Sequence, residues 1–188
     1  MIVREMLPGE AEAVGALRVD AYSGGGFLSA GTGYADTLRA LGFGGGGSGG
    51  PDRSGGSGHA TVFVAAEGAP DGNGGAGELL GTVMLEAWHA ASEVSQGPDE
   101  AEVRAFAVAP RAQGRGVGRA LMLAVIDAAA ASGARRLLLS TRPEMRAAQH
   151  LYHSLGFVRA PELDWAPVAG VSLLGFILPL LASGVIRR

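Results

Sequence analysis

Val103-Arg104-Ala105-Phe106-Ala107-Val108-Ala109-Pro110-Arg111-Ala112-Gln113-Gly114-Arg115-Gly116-Val117-Gly118-Arg119-Ala120 is the stretch on which the reading turns. Its first half is apolar and β-compatible, and Pro110 stops it. Its second half is glycine-rich and opens a run of Ala and Leu from Arg119 to Ser132, a strong helix that Gly133 closes as its C-terminal cap. The unit is therefore a strand, a glycine turn and a helix. Glycines let the backbone approach a ligand without a Cβ in the way. The N–H groups at a helix start and the helix dipole both favour an anion. Arg115 and Arg119 add positive charge, so local physics alone predicts a phosphate or pyrophosphate cradle.

The neighbouring elements follow from pattern. Ile2 to Met6 reads as a short strand, and Pro8 to Tyr22 has helical spacing at Ala13, Val14, Leu17 and Ala21. Tyr34 to Leu41 reads as a second short helix. Thr61 to Ala66 and Leu79 to Trp88 read as a hairpin. Glu102 to Val108 and Arg136 to Ser140 are further strands. A last helix is expected from Thr141 to Leu155, with Thr141 as N-cap, Pro143 in the first turn, Glu144 as capping-box acid, and Gly156 ending it. Phe157 to Arg159 and Val171 to Leu178 complete the sheet. The expected fold class is α/β (α+β): a mixed, largely antiparallel sheet of six to seven strands flanked by about four helices. Residues 1–188 read as one domain. Residues 42–58 hold ten glycines and residues 68–77 hold five, so both are expected to be flexible loops.

Composition narrows the chemistry. The 188 residues carry 15 basic and 18 acidic side chains, a formal charge of −3, which gives no footprint for nucleic acid. Every basic residue is arginine, so a P-loop lysine, a Schiff-base lysine and a Ser–Lys pair are excluded. Without cysteine there is no disulfide, thiolate zinc site or cysteine nucleophile. His59, His89, His150 and His153 show no metal spacing. The N-terminus lacks a signal-peptide pattern, so the expected compartment is the cytoplasm. Trp165 to Ile186 has no charge and is long enough to span a bilayer, but Pro167, Gly170, Gly175, Pro179 and Gly184 interrupt it. Buried strand is the better reading of it than membrane.

Two phosphate folds fail. There is no GK[ST] for a Walker loop. A Rossmann fingerprint would need glycine where Arg119 stands, and an acid where the next strand ends in Ser140-Thr141.

Gln113-x-x-Gly116-x-Gly118 after a strand ending in Ala107-Val108-Ala109-Pro110 resembles the acetyl-CoA motif of the GNAT superfamily of N-acetyltransferases. Leu151-Tyr152-His153-Ser154-Leu155-Gly156-Phe157 resembles that family's closing helix and turn, with one helix and one strand between the two. The resemblance implies an acyl-CoA N-acyltransferase-like fold with acetyl-CoA as co-substrate and no metal. It implies that backbone groups of Phe106, Ala107 and Val108 pair with the pantetheine arm as an added strand would. Gln113, Gly114, Arg115, Gly116, Val117, Gly118 and Arg119 would hold the pyrophosphate. The thioester would sit where the family's strands splay, between Glu102–Val108 and Arg136–Ser140, beside a polarising backbone N–H.

Tyr152 is then the candidate acid that protonates the leaving thiolate. Its alternative is an aromatic on the core face, in line with Ala148 and Leu155. Glu102, eleven residues before Gln113, is the candidate base, directly or through water. Its alternative is an edge charge in a run with Asp99 and Glu100. One residue departs from the pattern: many members have asparagine seven residues before the tyrosine, and here Met145 stands there. Its contact would be absent, or replaced by Arg146 or Thr141.

The resemblance points to an N-acetyltransferase in which a primary amine attacks the thioester directly in a ternary complex. The acceptor would be a small-molecule or peptide amine, and the protein a monomer or homodimer. The other readings are a non-catalytic acyl-CoA-binding module and a protein held to a membrane by its apolar tail.

Overall fold

The computed structural model describes residues 1–28, 33–43, 60–68, 77–168 and 170–180. The glycine-rich 44–58 and 69–76, and the tail beyond Leu180, lie outside these. The chain forms two compact units, residues 1–84 with 105–125 and residues 85–104 with 126–188. The strands share a sheet in the order β1-β2-β3-β4-β5-β8-β6, with β7 pairing β8 off that path.

The first unit opens with β1 (Ile2–Glu5), antiparallel to β2 (Ala60–Ala66) from Ile2↔Ala66 to Glu5↔Phe63. Helices α1 (Ala11–Gly24) and α2 (Tyr34–Ala40) follow β1. Val14 from α1, Val62 and Val64 from β2, and Met84 from β3 (Leu79–Ala87) form its buried cluster. β3 leaves the β2 turn with Glu67 N–H donating to Glu78 O at 2.9 Å, as a hairpin requires. The hairpin and α2 lie within one residue of their expected bounds, whereas α1 starts three residues after the expected Pro8, because Pro8–Glu10 forms a 3₁₀ turn, and ends two residues past Tyr22.

The second unit is built on β5 (Arg136–Thr141), whose Leu137, Leu138 and Leu139 are buried. β4 (Glu100–Val108) runs parallel to it from Glu100↔Arg136 to Val103↔Leu139. β8 (Val171–Pro179) runs antiparallel along all of β5 and also takes β6 (Val158–Arg159). Among the described residues the sheet has eight strands, where six to seven were expected. The extra one is β7 (Trp165–Val168), drawn from the uncharged stretch, and Pro167 is tolerated there because an edge strand has an unused ladder side. Among the described residues, no helix is long and apolar enough to cross a membrane.

Helix α3 (Val117–Ala131) is rich in Ala and Leu, strong helix formers. It ends on Gly133 at φ 88°, with Ala134 N–H donating to Ala129 O at 3.2 Å. Helix α4 differs from the expectation: it spans Arg146–Ser154, and Thr141 is the last residue of β5 rather than an N-cap. An N-cap hydroxyl accepts a backbone N–H of the first turn, whereas the Thr141 hydroxyl donates to Met145 Sδ at 3.5 Å. The Gln149 side-chain amide ties the connection, donating to Arg142 O and Pro143 O at 3.0 Å each.

Candidate active site

The cradle belongs to the first unit. β4 ends at Val108, and Ala109 N–H donates to Leu80 O at 2.9 Å, anchoring the turn on β3. A 3₁₀ turn over Pro110–Ala112 follows, and Gln113 N–H closes it on Pro110 O at 3.4 Å. Gly114 and Gly116 then adopt φ 73° and 80°, a left-handed conformation that costs any Cβ-bearing residue about 1–2 kcal/mol. Among the described residues other than their own chain neighbours, no atom lies within 4 Å of where their Cβ atoms would stand. Crowding within the chain therefore does not explain the two glycines, whereas turn conformation and ligand approach do.

Gly116 O accepts from Ala120 N–H at 3.0 Å, the first helical bond of α3. The N–H groups of Val117 and Gly118 thus lack intrahelical acceptors, as in every first turn. Gln113, Gly114, Arg115 and Gly116 are exposed, while Val117 is buried and anchors the helix start. Such a turn suits a pyrophosphate: two left-handed glycines, a helix N-terminus and adjacent arginines. Arg115 is engaged already, its Nη2 donating to Glu67 Oε1 at 2.9 Å.

Before the cradle, Ala105 has φ 48°, left-handed although it carries a Cβ. The β4–β5 register ends at Val103↔Leu139, whereas β4 continues to Val108 and β5 to Thr141. A strained residue two positions past the last pair breaks the regular pleat at the start of Phe106, Ala107 and Val108.

The second unit holds the two candidate proton carriers. Tyr152 is 5% exposed, its ring 5.9 Å from the rings of both Phe157 and Phe176. Burial pushes its phenol above the ordinary value. The α4 turn is closed by Phe157 N–H donating to Tyr152 O at 3.0 Å, with Gly156 at φ 93°. His150 and His153 are exposed, as their positions on the helix predict.

Glu102 is not an edge charge: it is 1% exposed. Its Oε2 accepts the Val94 N–H at 3.1 Å and the Ser95 N–H at 3.4 Å. Burial, the largest influence, holds its carboxyl above the usual range, although the Val94 bond and the Arg104 charge oppose this. Around it stands a set that the sequence reading missed: Arg104 pairs with Glu86 at 3.0 Å and with Glu93, and Glu86 meets His89 Nε2 at 3.3 Å. A two-residue spacing on a strand, Glu102 to Arg104, is the signal that could have found it. Among the described residues, no three His, Asp or Glu side chains gather as metal ligands would.

Comparison with known proteins agrees with this construction. The chain is 45% identical over 58 residues to the mycothiol acetyltransferase of Renibacterium salmoninarum, a match covering 31% of this chain and 17% of that protein. A GCN5-related N-acetyltransferase from Kribbella flavida is 26% identical, with a TM-score of 0.61 over 95% of this chain and 97% of the other. A Salmonella typhimurium structure solved with acetyl-CoA as its cofactor is 20% identical, with a TM-score of 0.60 over 96% and 94%. The model of the acetyltransferase (GNAT) family matches residues 52–157, more than half of the 188, and spans β4, the cradle and the α4 turn. The chain belongs to the GNAT acetyltransferase family.

Proposed function

We propose that this chain transfers the acetyl group of acetyl-CoA to a primary amine, by direct attack of the amine in a ternary complex. The observation that carries the reading is the left-handed pair Gly114 and Gly116 opening α3, in a chain of this family. In this reading Gln113 to Arg119 hold the pyrophosphate, and Phe106, Ala107 and Val108 take the pantetheine arm by their backbone groups. The amine nitrogen forms the new amide bond and the carbon–sulfur bond breaks. Glu102 takes the proton the amine loses, directly or through water, and Tyr152 gives a proton to the departing thiolate. The departing group leaves as a neutral thiol and the enzyme is reset by returning one proton to Tyr152 and releasing one from Glu102. No metal enters the reaction.

The finer parts of the reading are that residues 1–188 act as one acetyltransferase domain in the cytoplasm, as a monomer or homodimer. The acceptor is a small-molecule or peptide amine. Arg146 and Thr141 are not needed to replace the contact that Met145 lacks, because the cradle works through main-chain groups. The test has two stages. Acetyl-CoA, and not NAD, should raise the melting temperature, since a ligand at about a hundred times its Kd adds roughly 2.7 kcal/mol to the folded state. A panel of amines and peptides should then release CoA in an acceptor-dependent way. Binding without release from any acceptor would overturn transfer and leave an acyl-CoA-binding module.

A further inference from the structure

The reading of Glu102 as base leaves open what keeps a carboxylate buried at 1% exposure in a usable charge state. A carboxylate alone among apolar groups holds its proton well into the working range. A carboxylate locked in a bidentate arginine pair gives up its basicity instead. Neither extreme is what β4 presents.

Arg104 follows Glu102 by two residues and shares its face of the strand. Its guanidinium is divided. Nη1 donates to Glu86 Oε2 at 3.0 Å, and Nη2 donates to Glu93 Oε1. Its Nε faces Glu102 and stands 3.9 Å from Oε1. That separation is too long for a hydrogen bond but within reach of charge attraction. Glu102's other oxygen is fixed independently by Val94 and Ser95, whose Oγ also lies 3.5 Å away.

Among the described residues, Arg104 on β4 and Glu93 on the 88–99 connection act on Glu102 by charge, while Glu86 on β3 meets Arg104 and His89 on the connection meets Glu86. β5 contributes apolar Leu138 as register partner. His89 Nδ1 accepts the Ala91 N–H at 3.1 Å, so its proton stays on Nε2, toward Glu86 Oε1. Burial lowers the affinity of Arg104 for its proton, but Glu93, Glu86 and Glu102 together outweigh that and keep it charged. Two carboxylates therefore compete with Glu102 for one cation.

We propose that Arg104, clamped between Glu86 and Glu93, is a positioning residue that sets the pH at which Glu102 accepts a proton. The inference rests on the reading of Glu102 as base. Arg104 supplies attraction without a hydrogen bond, and Glu93 weakens that attraction by sharing it. The two residues consequently act on Glu102 with opposite sign.

The test follows the Glu102 carboxyl by carbon-13 NMR in glutamate-labelled full-length protein, assigned by its loss in Glu102→Gln. Arg104→Met should raise the titration midpoint of Glu102, because the cation is gone. Glu93→Gln should lower it, because a facing anion is gone. Each change should alter proton affinity at least about threefold, a small fraction of an unscreened contact at this distance. Arg104→Lys should restore most of the Arg104→Met effect. Glu93 is a quarter exposed, so its variant keeps the test informative if Arg104→Met does not fold. In the enzyme, the acidic limb of kcat/KM should move in the same directions with KM for acetyl-CoA unchanged. A midpoint that stays put or rises in Glu93→Gln overturns the proposal. Midpoints that move while the acidic limb does not uphold the tuning and overturn Glu102 as base.

Discussion

Arg115 of the glycine turn donates from Nη2 to Glu67 Oε1 at 2.9 Å, so a carboxylate just past β2 occupies an arginine of that turn. Both side chains are about half exposed, at 49% and 52%. A pair in such surroundings is worth about 0–1 kcal/mol. A phosphate arriving at the turn competes with Glu67 for the same guanidinium, and Glu67 also repels it. Glu67→Gln should therefore tighten acetyl-CoA binding about threefold in low salt, and Arg115→Gln should weaken it. Calorimetric titration at two ionic strengths checks this, since screening should shrink the Glu67 effect at high salt. No change in low salt would mean that Arg115 does not meet the phosphates.

Gly116 and Gly133 offer a matched comparison. They have φ 80° and 88°, and among the described residues other than their chain neighbours neither has an atom within 4 Å of an added Cβ. Alanine at either position should cost about 1–2 kcal/mol of stability through left-handed strain alone. Only Gly116 opens α3, and Gly133 closes it. Gly116→Ala should thus weaken acetyl-CoA at least tenfold, while Gly133→Ala leaves affinity unchanged at a similar loss of stability. Urea unfolding together with acetyl-CoA titration separates the two effects. Equal affinities in both variants would remove the cradle from cofactor binding.

Much of this is legible in the sequence, for definable reasons. The strand, glycine turn and helix around Gln113 are a local unit in which conformation and residue type are tied, so its sequence predicts its shape. The Thr141 N-cap failed because Thr141 is held in β5 opposite Leu174 of β8, so α4 starts only at Arg146 and the Thr141 hydroxyl goes to Met145 Sδ. β7 was hidden by composition, since Trp165 to Val168 reads the same in a strand as in any uncharged run. The Glu86–Arg104–Glu93 set was legible only in the two-residue spacing of Glu102 and Arg104 on one strand. Its members come from two strands and a connection, and only folding brings them within bonding distance.

Arg18 is a buried cation whose contribution can be separated from catalysis. It is 0% exposed and its Nη1 donates to Leu38 O at 3.3 Å and Leu41 O at 2.5 Å, tying α1 to the end of α2. The Phe43 ring lies 5.1 Å from its guanidinium carbon. Among the described residues Nε and Nη2 have no hydrogen-bond partner, and burial lowers its pKa to about 10, so it stays charged at neutral pH. Arg18→Ala should cost about 3 kcal/mol, because a large cavity opens and two carbonyls lose their donor. Arg18→Met should cost distinctly less, since it fills the space and removes the unsatisfied N–H groups. Chemical unfolding of both variants decides, and a methionine variant weaker than the alanine one would refute this accounting.

Tyr152 sits between Phe157 and Phe176 with its phenol pushed above the ordinary value by burial. It therefore keeps its proton throughout the working pH range and is available as an acid at any pH the enzyme meets. Tyr152→Phe keeps the ring packing and removes only the donor. The expected result is a fall in kcat of about a hundredfold, with KM for acetyl-CoA little changed. The basic limb of the rate profile should stay where it is in both proteins, because Tyr152 does not titrate there. Stability gives an independent reading with a definite sign. The folded state holds the phenolic proton more tightly than the unfolded chain, whose tyrosine ionises near pH 10. That contribution is complete below about pH 10 and is lost as pH rises through the folded value. The parent protein should therefore lose stability relative to Tyr152→Phe above about pH 10, and unfolding curves at pH 8 and pH 11 show it. An unchanged kcat in Tyr152→Phe would return this tyrosine to the core and leave the thiolate to take its proton from solvent.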